Sequence, residues 1–417
     1  MQNPEQTDVE RAAPRLWAPA LIVFISSACM MVLELVAGRM VAPYVGVSLY
    51  TWTSIIGVIL AGMSLGNYAG GRLADRWASH SLLSLLFFVS GLTSIAVLFV
   101  DRLGATLPDA WPVVLRIIIL VAGVFFVPAM LLGTISPIVT KIAVRDLAHT
   151  GSTVGRISAS GTAGSIVGTF ATGFVLISWF GTHAIIWGVA IVLLLMALAF
   201  FLASLPARSR MVTALLALIV LGGATLVATQ QGWTKSRCTL ETNYFCIKVQ
   251  QDAQRGESVR VLVLDRLVHS YSDLEDPRRL VYDYEKVYAE VAQNQSLNDH
   301  KLSALFIGGG GYTFPRYMES LYPDSDLDVI EIDPGVTQTA YNLLGLKRDT
   351  RVRTFNEDAR VFLARKPDRQ YSLIMGDAFN DFSVPYHLTT LEFNERVAAW
   401  LADDGVYMVN LIDGPRR

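Results

Sequence analysis

Charged residues are scarce before Trp233, where only eight of the 36 acidic residues and 12 of the 34 basic residues lie. With 52% hydrophobic residues over 417 positions, this distribution excludes a single soluble globule. The remainder of the chain has 28 acidic and 22 basic residues, a net charge of −6, over a length that suits one domain. This part of the chain has no excess of basic residues. Its charge therefore argues against nucleic acid as a partner, because phosphate neutralisation requires a basic face.

Cysteine is also rare, with three residues in the chain. The Cys and His spacings typical of metal sites are absent, so we predict no metal. Cys29 lies in an apolar segment, whereas Cys238 and Cys246 lie eight residues apart in RCTLETNYFCIKV, which is typical of a β-hairpin. Two alternatives stay open for this pair. A disulfide would need an oxidising compartment, and two free thiols would suit the cytosol.

Long hydrophobic runs dominate the charge-poor part. A helix needs about 20 apolar residues to cross a bilayer. Seven segments meet this requirement, with soft bounds at 17–37, 52–70, 81–100, 113–139, 154–179, 183–203 and 211–229. The first has no small-residue cleavage site, so we predict a retained helix rather than a signal peptide. Pro128 and Pro137 are expected to kink or break the fourth, which would then be a span plus a re-entrant piece.

Glycine pairs inside these segments predict how the helices meet. Gly66 with Gly70 and Gly164 with Gly168 are small-xxx-small pairs, which favour close packing in lipid or, alternatively, a substrate path.

The basic residues of this part predict its orientation. They concentrate in the loops between segments 2 and 3, 4 and 5, and 6 and 7: Arg72, Arg76, Lys141, Arg145, Arg156, Arg208 and Arg210. The positive-inside rule places the N-terminus in the cytoplasm and, with seven spans, the C-terminal part outside. A fourth segment that enters and leaves on one side would return that part to the cytoplasm. We predict a multi-pass protein of the cell (inner) membrane, with the lipid bilayer as a partner.

One stretch, Leu302–Asp333, organises the C-terminal part. Its sequence, LSALFIGGGGYTFPRYMESLYPDSDLDVIEID, is typical of a strand, a glycine turn, a helix and a second strand. Gly308–Gly311 follow the first apolar run, and glycine lets the backbone approach a ligand closely because it has no Cβ. Glu331 ends the second run, where an acidic residue typically binds a ribose diol. The pattern predicts a nucleotide site.

Strands and helices continue to alternate after this stretch, which predicts a parallel, doubly wound sheet with its ligand crevice at the carboxyl ends of the strands. Glu331, Asp358 and Asp377 all follow such strands. Two earlier strands, Tyr244–Val249 and Val259–Leu264, predict a small β-hairpin. We therefore predict a transmembrane domain at 1–232, a β-hairpin and linker helix at 233–300, and an α/β Rossmann-like domain at 301–417.

The motifs of the C-terminal part resemble the spermidine synthase family, the polyamine aminopropyltransferases. That family joins a β-hairpin piece to a Rossmann-like domain of the class I methyltransferase type. Its motifs LDG…Q, an aromatic and acidic helix, GGGDGG, E-I-D, G-D-[AG] and D-x-x-D-P correspond to Leu264–His269, Tyr282–Glu285, Gly308–Thr313, Glu331–Asp333, Glu357–Ala359 and Asp377–Asn380. The resemblance covers roughly residues 239–413, and the whole chain resembles a membrane-fused spermidine synthase-like protein.

The resemblance implies S-adenosylmethionine or its decarboxylated form as co-substrate. Glu331 would accept both ribose hydroxyls, and Asp358, with the backbone at Ala359, would bind the adenine amino group. His269 stands where the family usually has Gln, contacting the tail of the nucleotide. The remaining residues that the motifs assign to nucleotide binding are Gly308, Gly309, Gly310 and Asp333.

The resemblance also implies a small amine as acceptor. Asp377 would be catalytic, because it would orient and deprotonate the attacking amine. Tyr282, Tyr284 and Asp381 would bind the amine. The family's sheet is normally completed by an antiparallel hairpin, whereas this sequence stops at Arg417, just after the predicted strand Val406–Leu411. The 301–417 domain is therefore expected to lack its last strands. Either the chain is shortened, or its edge is covered by the membrane part or by a second copy in a homodimer.

Two departures from the family pattern alter the acceptor half of the site. Gly311 stands where the family has an acid, and Asn380 stands where the family has a second acid, although Asp381 is adjacent. The loss of two anionic groups weakens the case for a dicationic amine such as putrescine. The first hypothesis is an integral membrane aminopropyltransferase-like enzyme of the polyamine biosynthesis type. The alternatives are a membrane S-adenosylmethionine-dependent methyltransferase and a transporter or sensor with a non-catalytic Rossmann domain.

Overall fold

The computed structural model describes residues 17–108, 110–144, 149–298, 301–379 and 384–411. Within these residues the chain divides into two compact units. One comprises the residues up to Val41 and Tyr50–Ser236, and the other comprises Ala42–Leu49 and the residues from Arg237 onward. The first unit is helical, and the second contains two β-sheets.

The described residues of the helical unit form apolar helices that differ in length. They are α1 (Trp17–Val45), α2 (Leu49–Trp77), α3 (His80–Ala96), α4 (Val100–Thr106), α5 (Val113–Ala143), α6 (Thr150–Ala171), α7 (Ile177–Trp179), α8 (Thr182–Ser204) and α9 (Ala207–Gln230). A 3-10 turn, Val97–Phe99, joins α3 to α4, and a π-helical segment, Thr172–Leu176, joins α6 to α7. The described residues thus form seven stretches that by length and composition suit a membrane, and the seven predicted apolar segments are confirmed as long helices.

The fourth segment, α5, runs unbroken through Pro128 and Pro137. It is therefore one helix, and the predicted span with a re-entrant piece is wrong. Proline inside a helix removes a donor and costs roughly 3 kcal/mol. Packing compensates here, because Pro128 is buried and α2 lies close to the α5 backbone: a Cβ on Gly133 would come within 2.8 Å of the Met63 carbonyl oxygen.

Both predicted glycine pairs lie where helix backbones touch. A Cβ on Gly70 of α2 would lie 2.7 Å from the Cα of Thr134 in α5. A Cβ on Gly168 of α6 would lie 2.6 Å from the carbonyl oxygen of Ala28 in α1. Only a residue without a side chain permits this approach, so close packing accounts for both pairs.

The second unit begins with an antiparallel sheet that is larger than the predicted hairpin. Its strands are β1 (Leu240–Glu241), β2 (Cys246–Gln251), β3 (Val259–Leu264) and β4 (Leu267–Asp273), paired in that order. β2 and β3 are the predicted strands. The sequence pattern missed β4, because its last four residues are all buried and do not alternate. Cys238 and Cys246 form a disulfide with a Cα–Cα distance of 5.3 Å, which selects one of the two alternatives left open by the sequence.

A parallel sheet follows the helix α10 (Asp283–Asn298). Its strands are β5 (Ser303–Ile307), β6 (Asp326–Ile330), β7 (Arg353–Phe355), β8 (Tyr371–Gly376) and β9 (Leu401–Val409), in the order β7-β6-β5-β8-β9. The connecting helices are α11 (Thr313–Leu321), α12 (Pro334–Leu343), α13 (Ala359–Phe362) and α14 (Leu391–Trp400). All four strand pairs are parallel, so the predicted parallel sheet is confirmed. The strand order reverses between β5 and β8, which is where such sheets form a ligand crevice.

Successive residues of β5 face two different cores, as the period of a strand requires. Ala304 and Phe306 belong to a core that includes residues of β2, β3, α10, α11 and α12. Leu305 and Ile307 belong to a second core with α13 and α14. Both faces of the parallel sheet are therefore covered, and the antiparallel sheet and α10 share a core with one of them.

Candidate active site

A cavity of about 470 Å³ opens at the carboxyl ends of the parallel strands. This main cavity has the size typical of small-molecule sites, which occupy about 300–1,000 Å³. Nine residues singled out in the sequence line it: His269, Tyr282, Tyr284, Gly308, Gly310, Glu331, Asp358, Ala359 and Asp377. The structure thus brings together residues from β4, α10 and the ends of β5, β6, β7 and β8.

The glycine turn begins directly after β5, and Gly308 requires glycine for two reasons. Its φ is +101°, a conformation that other residues rarely adopt. A Cβ there would also lie 2.8 Å from the carbonyl oxygen of Asp377. The Gly308 N–H donates to the carbonyl oxygen of Ile330 at 2.8 Å, so the turn is fixed between the ends of β6 and β8.

Glu331 follows β6 and is held by the backbone on both sides. Its Oε2 accepts from the Gly309 N–H at 2.8 Å, and its Oε1 accepts from the Asp333 N–H at 2.9 Å. Burial raises the pKa of Glu331, and these two hydrogen bonds oppose that shift. A carboxylate has about four acceptor positions, so Glu331 retains acceptor capacity for a ribose.

Asp333 does not line the main cavity and instead caps a helix. Its Oδ1 accepts from the Gly335 N–H at 2.8 Å at the start of α12, and its Oδ2 accepts from the Thr242 hydroxyl at 2.5 Å. The residue is 1% exposed. The motif assigns Asp333 to nucleotide binding, but both of its carboxylate oxygens are engaged in structural hydrogen bonds. An N-cap of this kind stabilises a helix by about 1 kcal/mol.

Asp358 and Ala359 lie together at the rim of the cavity after β7. The Oδ1 of Asp358 accepts from the Arg360 N–H at 2.7 Å and caps α13. Its Oδ2 lies 3.2 Å from the Nε2 of His387, a residue that the sequence did not single out. His387 also lines the cavity, so the carboxylate and the imidazole face the same space.

Asp377 lies just beyond β8, with both carboxylate oxygens bound. Its Oδ2 accepts from the Tyr284 hydroxyl at 2.8 Å, and its Oδ1 accepts from the Asn410 side-chain N–H at 2.9 Å. Burial raises the pKa of Asp377 to about 6, and both hydrogen bonds act against that increase. The group is therefore a carboxylate held in a fixed orientation, with a pKa near the range in which a general base operates.

His269 and Tyr282 also line the main cavity. Burial lowers the pKa of His269 to about 4, so its imidazole is neutral at pH 7. The Tyr282 hydroxyl donates to the Val268 carbonyl oxygen at 2.9 Å, which fixes its ring against β4. Neither residue brings a positive charge to the cavity.

Gly311 stands where the family has an acid, and side chains of β4 occupy the space that a side chain at residue 311 would take. A Cβ on Gly311 would collide with the Ser270 hydroxyl and would lie 2.9 Å from the Ser272 hydroxyl. No larger residue fits unless β4 moves. The two other residues discussed for the acceptor half, Asn380 and Asp381, lie outside the described residues.

Sequence reasoning missed three polar residues at the site. Asn410 follows β9, and the rule that selected Asp377 could have selected it, since it too lies at the carboxyl end of a strand. His387 lies in a 3-10 turn after Pro385, for which no such rule exists. Glu285 lies in the predicted aromatic and acidic helix, but spacing alone does not show that it points inward. Among the described residues, no cluster of three or more His, Cys, Asp or Glu side chains could hold a metal.

Comparisons with known proteins agree with the motifs. No family model matches the chain. It is 31% identical to the polyamine aminopropyltransferase of Vibrio vulnificus over 160 residues, which cover 38% of this chain and 50% of that protein. It is 25% identical to the polyamine aminopropyltransferase of Corynebacterium efficiens over 426 aligned positions, which cover 95% of this chain and 77% of that protein.

A probable spermidine synthase from Corynebacterium glutamicum is a solved structure that is 26% identical, with a TM-score of 0.38, over 40% of this chain and 61% of that chain. The chain spans half the length of the Vibrio protein. The similarity to the Corynebacterium efficiens protein extends over the helical unit as well as the sheets. By these sequence similarities the chain is a homologue of the polyamine aminopropyltransferases, the spermidine synthase family, as its motifs predict.

Proposed function

We propose that the chain is an integral membrane aminopropyltransferase, which moves an aminopropyl group from decarboxylated S-adenosylmethionine to an amine. The observation that supports this most is the charge of the main cavity. Glu331, Glu357, Asp358 and Asp377 line it, and no Arg or Lys is among its described lining residues. Residues 380–383, which the structure does not describe, contain no Arg or Lys either.

This charge distribution discriminates between the two possible donors. Intact S-adenosylmethionine carries a carboxylate on its tail, which would need a cationic or amide partner after burial. The decarboxylated form lacks that carboxylate and keeps the ammonium group of the tail, which Asp377 suits. His269 is neutral, and His387 is paired with Asp358. The lining therefore favours aminopropyl transfer over methyl transfer.

The nucleoside half of the proposed site follows from the geometry at the strand ends. Glu331, fixed by two backbone N–H groups, would accept hydrogen bonds from the two ribose hydroxyls. Asp358 and the backbone at Ala359 would bind the adenine amino group at the rim. Gly308 and Gly310, without side chains, leave room for the sulfonium to lie against the turn.

The reaction requires little covalent chemistry from the protein. The amine nitrogen attacks the methylene carbon bound to the sulfonium sulfur, a C–N bond forms, and the C–S bond breaks with its electron pair going to sulfur. The products are an alkylated amine and neutral 5′-methylthioadenosine. Asp377 takes the proton that the attacking ammonium must lose and aligns the nitrogen, as Tyr284 and Asn410 fix its orientation.

The proposed location is the cell (inner) membrane, with the second unit on the outer side. Two observations support this orientation independently. The basic loops follow the second, fourth and sixth of the seven long helices in the described residues, and α5 is one continuous helix that counts as a single span. In addition, Cys238 and Cys246 form a disulfide, which persists in an oxidising compartment.

Calorimetric titration of the purified full chain with both donors tests the proposed specificity. We expect decarboxylated S-adenosylmethionine to bind at least about tenfold more tightly than S-adenosylmethionine, because a buried carboxylate without a partner costs more than 1 kcal/mol. The variant Glu331→Gln should weaken both donors alike, since both carry the ribose. Tighter binding of the intact donor would favour a methyltransferase and would contradict the proposal.

A further inference from the structure

A second, smaller cavity of about 30 Å³ adjoins the main one. Both are lined by His269, Tyr284, Gly308, Gly310 and Asp377, so the small cavity extends inward from the site already described. A cavity of this volume can hold a water-sized group, since about 10–15 Å³ suffices for one water molecule. An ammonium group is of that size.

Four buried polar atoms that have no hydrogen-bond partner among the described residues line this small cavity. They are the Nε2 of His269, the hydroxyl oxygens of Ser270 and Tyr288, and the Oε2 of Glu285. Ser270 and Glu285 are each 3% exposed, and Tyr288 is 8% exposed. Polar atoms buried in this way normally have a partner, because leaving one unpaired costs about 1–3 kcal/mol. Their arrangement around one space indicates that a polar ligand group completes them.

The chemistry of these atoms selects the ligand group. Asp377 supplies negative charge, Glu285 supplies a second one when it ionises, and the neutral His269 together with Ser270 and Tyr288 can accept hydrogen bonds. A primary ammonium has three N–H donors, one positive charge and no acceptor. An anion would meet two carboxyl groups there, and an apolar group would leave all four atoms unpaired.

The space is available because residue 311 is glycine. Ser270 reaches the position that a side chain of residue 311 would fill, and Gly311 itself lines the small cavity. In the small cavity, Glu285 of α10 therefore supplies the carboxylate that the glycine turn lacks.

Given the proposed function, we infer that Glu285 is a substrate-positioning residue that binds the primary ammonium group of an alkylamine in the small cavity. That group occurs in both reactants, on the aminopropyl tail of the donor and on the amine acceptor. Glu285 holds the end of the reactant chain, and Asp377 lies between it and the main cavity.

The ionisation of Glu285 fits this assignment. Burial and the charge of Asp377 raise the pKa of Glu285 to about 8, so the free protein holds a proton there at pH 7. The other titratable groups that line the small cavity are His269, Tyr284 and Tyr288. A bound cation favours the ionised carboxylate, so binding should release a proton to the solvent.

The test compares Glu285→Gln with Glu290→Gln, which removes an exposed carboxylate from the same helix. The probes are 5′-methylthioadenosine, which has no ammonium, decarboxylated S-adenosylmethionine, and the amine in steady-state kinetics. We expect Glu285→Gln to bind 5′-methylthioadenosine within about twofold of Glu290→Gln and to weaken an ammonium-bearing reactant about 10- to 100-fold. Loss in donor Kd assigns the cavity to the aminopropyl tail, and loss confined to the KM for the amine assigns it to the acceptor.

Calorimetry in buffers of different ionisation enthalpy measures the number of protons released on binding. A merely structural role of Glu285 would leave that number unchanged. If the donor tail occupies the cavity, Glu285→Gln should release about one proton fewer than Glu290→Gln on donor binding at pH 7. Unchanged affinities for every ammonium-bearing reactant, or an equal loss for 5′-methylthioadenosine, would overturn the inference. A wild-type chain that binds neither 5′-methylthioadenosine nor the donor would instead contradict the proposed function itself.

Discussion

Asp377 is the side chain on which the proposed chemistry depends, and its ionisation has a predictable effect on rate. A base works in its ionised form, so activity should decline as the pH falls through its pKa of about 6. The Tyr284 hydroxyl donates to the ionised carboxylate and thereby lowers that pKa. Replacing Tyr284 by Phe removes this hydrogen bond, so the pKa of Asp377 should rise.

The measurement is the pH profile of kcat/KM for wild type and Tyr284→Phe. We expect the acidic limb of the variant to lie at higher pH, by about 0.5–1 pH unit for the loss of one hydrogen bond. The position of the limb is independent of any overall loss of rate. A limb that stays in place, or moves to lower pH, would contradict the assignment of Asp377 as the base.

Among the site residues, those that directly follow a strand can be predicted from the sequence. Those that reach the site from other elements are harder to predict. Glu331, Asp358 and Asp377 can be singled out because the carboxyl ends of parallel strands meet at one edge of the sheet. Glu285 and His387 reach the same cavities from a helix and a 3-10 turn, whose orientation depends on packing. Asp333 shows the converse, since a residue at a strand end can be used as a helix cap.

The glycine turn after β5 is the element that joins the nucleoside half of the site to Asp377. Replacing Gly308 by Ala forces a φ of +101° on a residue with a Cβ and brings that atom against the Asp377 backbone. We expect a destabilisation of about 1–3 kcal/mol and weaker binding of 5′-methylthioadenosine. Thermal unfolding and calorimetry check this, with Gly71→Ala as control because a Cβ on Gly71 of α2 would meet nothing within 4 Å. Equal effects from the two substitutions would contradict this account of the turn.

Elements with a clear apolar period were predictable, and elements decided by packing were not. The strands of the parallel sheet are short apolar runs, and the long helices are continuous apolar segments. β4 ends in Ser-Tyr-Ser-Asp, whose polar residues are buried between other elements, so its pattern does not alternate. α5 contains two prolines, which are unfavourable inside a helix, yet it runs unbroken and lies in close contact with α2.

At the scale of the whole molecule, the proposed orientation has a direct test. Alkaline phosphatase fused after Arg417 is active only outside the cytoplasm, so it should be active if the seven long helices of the described residues all cross the membrane. A matched fusion after Val144, between the fourth and fifth long helices, should be inactive because that loop is predicted to be cytoplasmic. If the Val144 fusion is active and the Arg417 fusion is inactive, the orientation is the reverse of the one proposed.

We expect the cavity around Gly308, Glu331 and Asp377 to transfer an aminopropyl group to an amine. Mass spectrometry of the products tests it most directly, with the purified full chain, both donors and a panel of amines. The account predicts an amine enlarged by one aminopropyl unit and an equal amount of 5′-methylthioadenosine, formed only from the decarboxylated donor. Asp377→Asn should lower the rate about 10²- to 10⁴-fold while 5′-methylthioadenosine still binds. A methylated product from intact S-adenosylmethionine, or no product from either donor, would contradict the account.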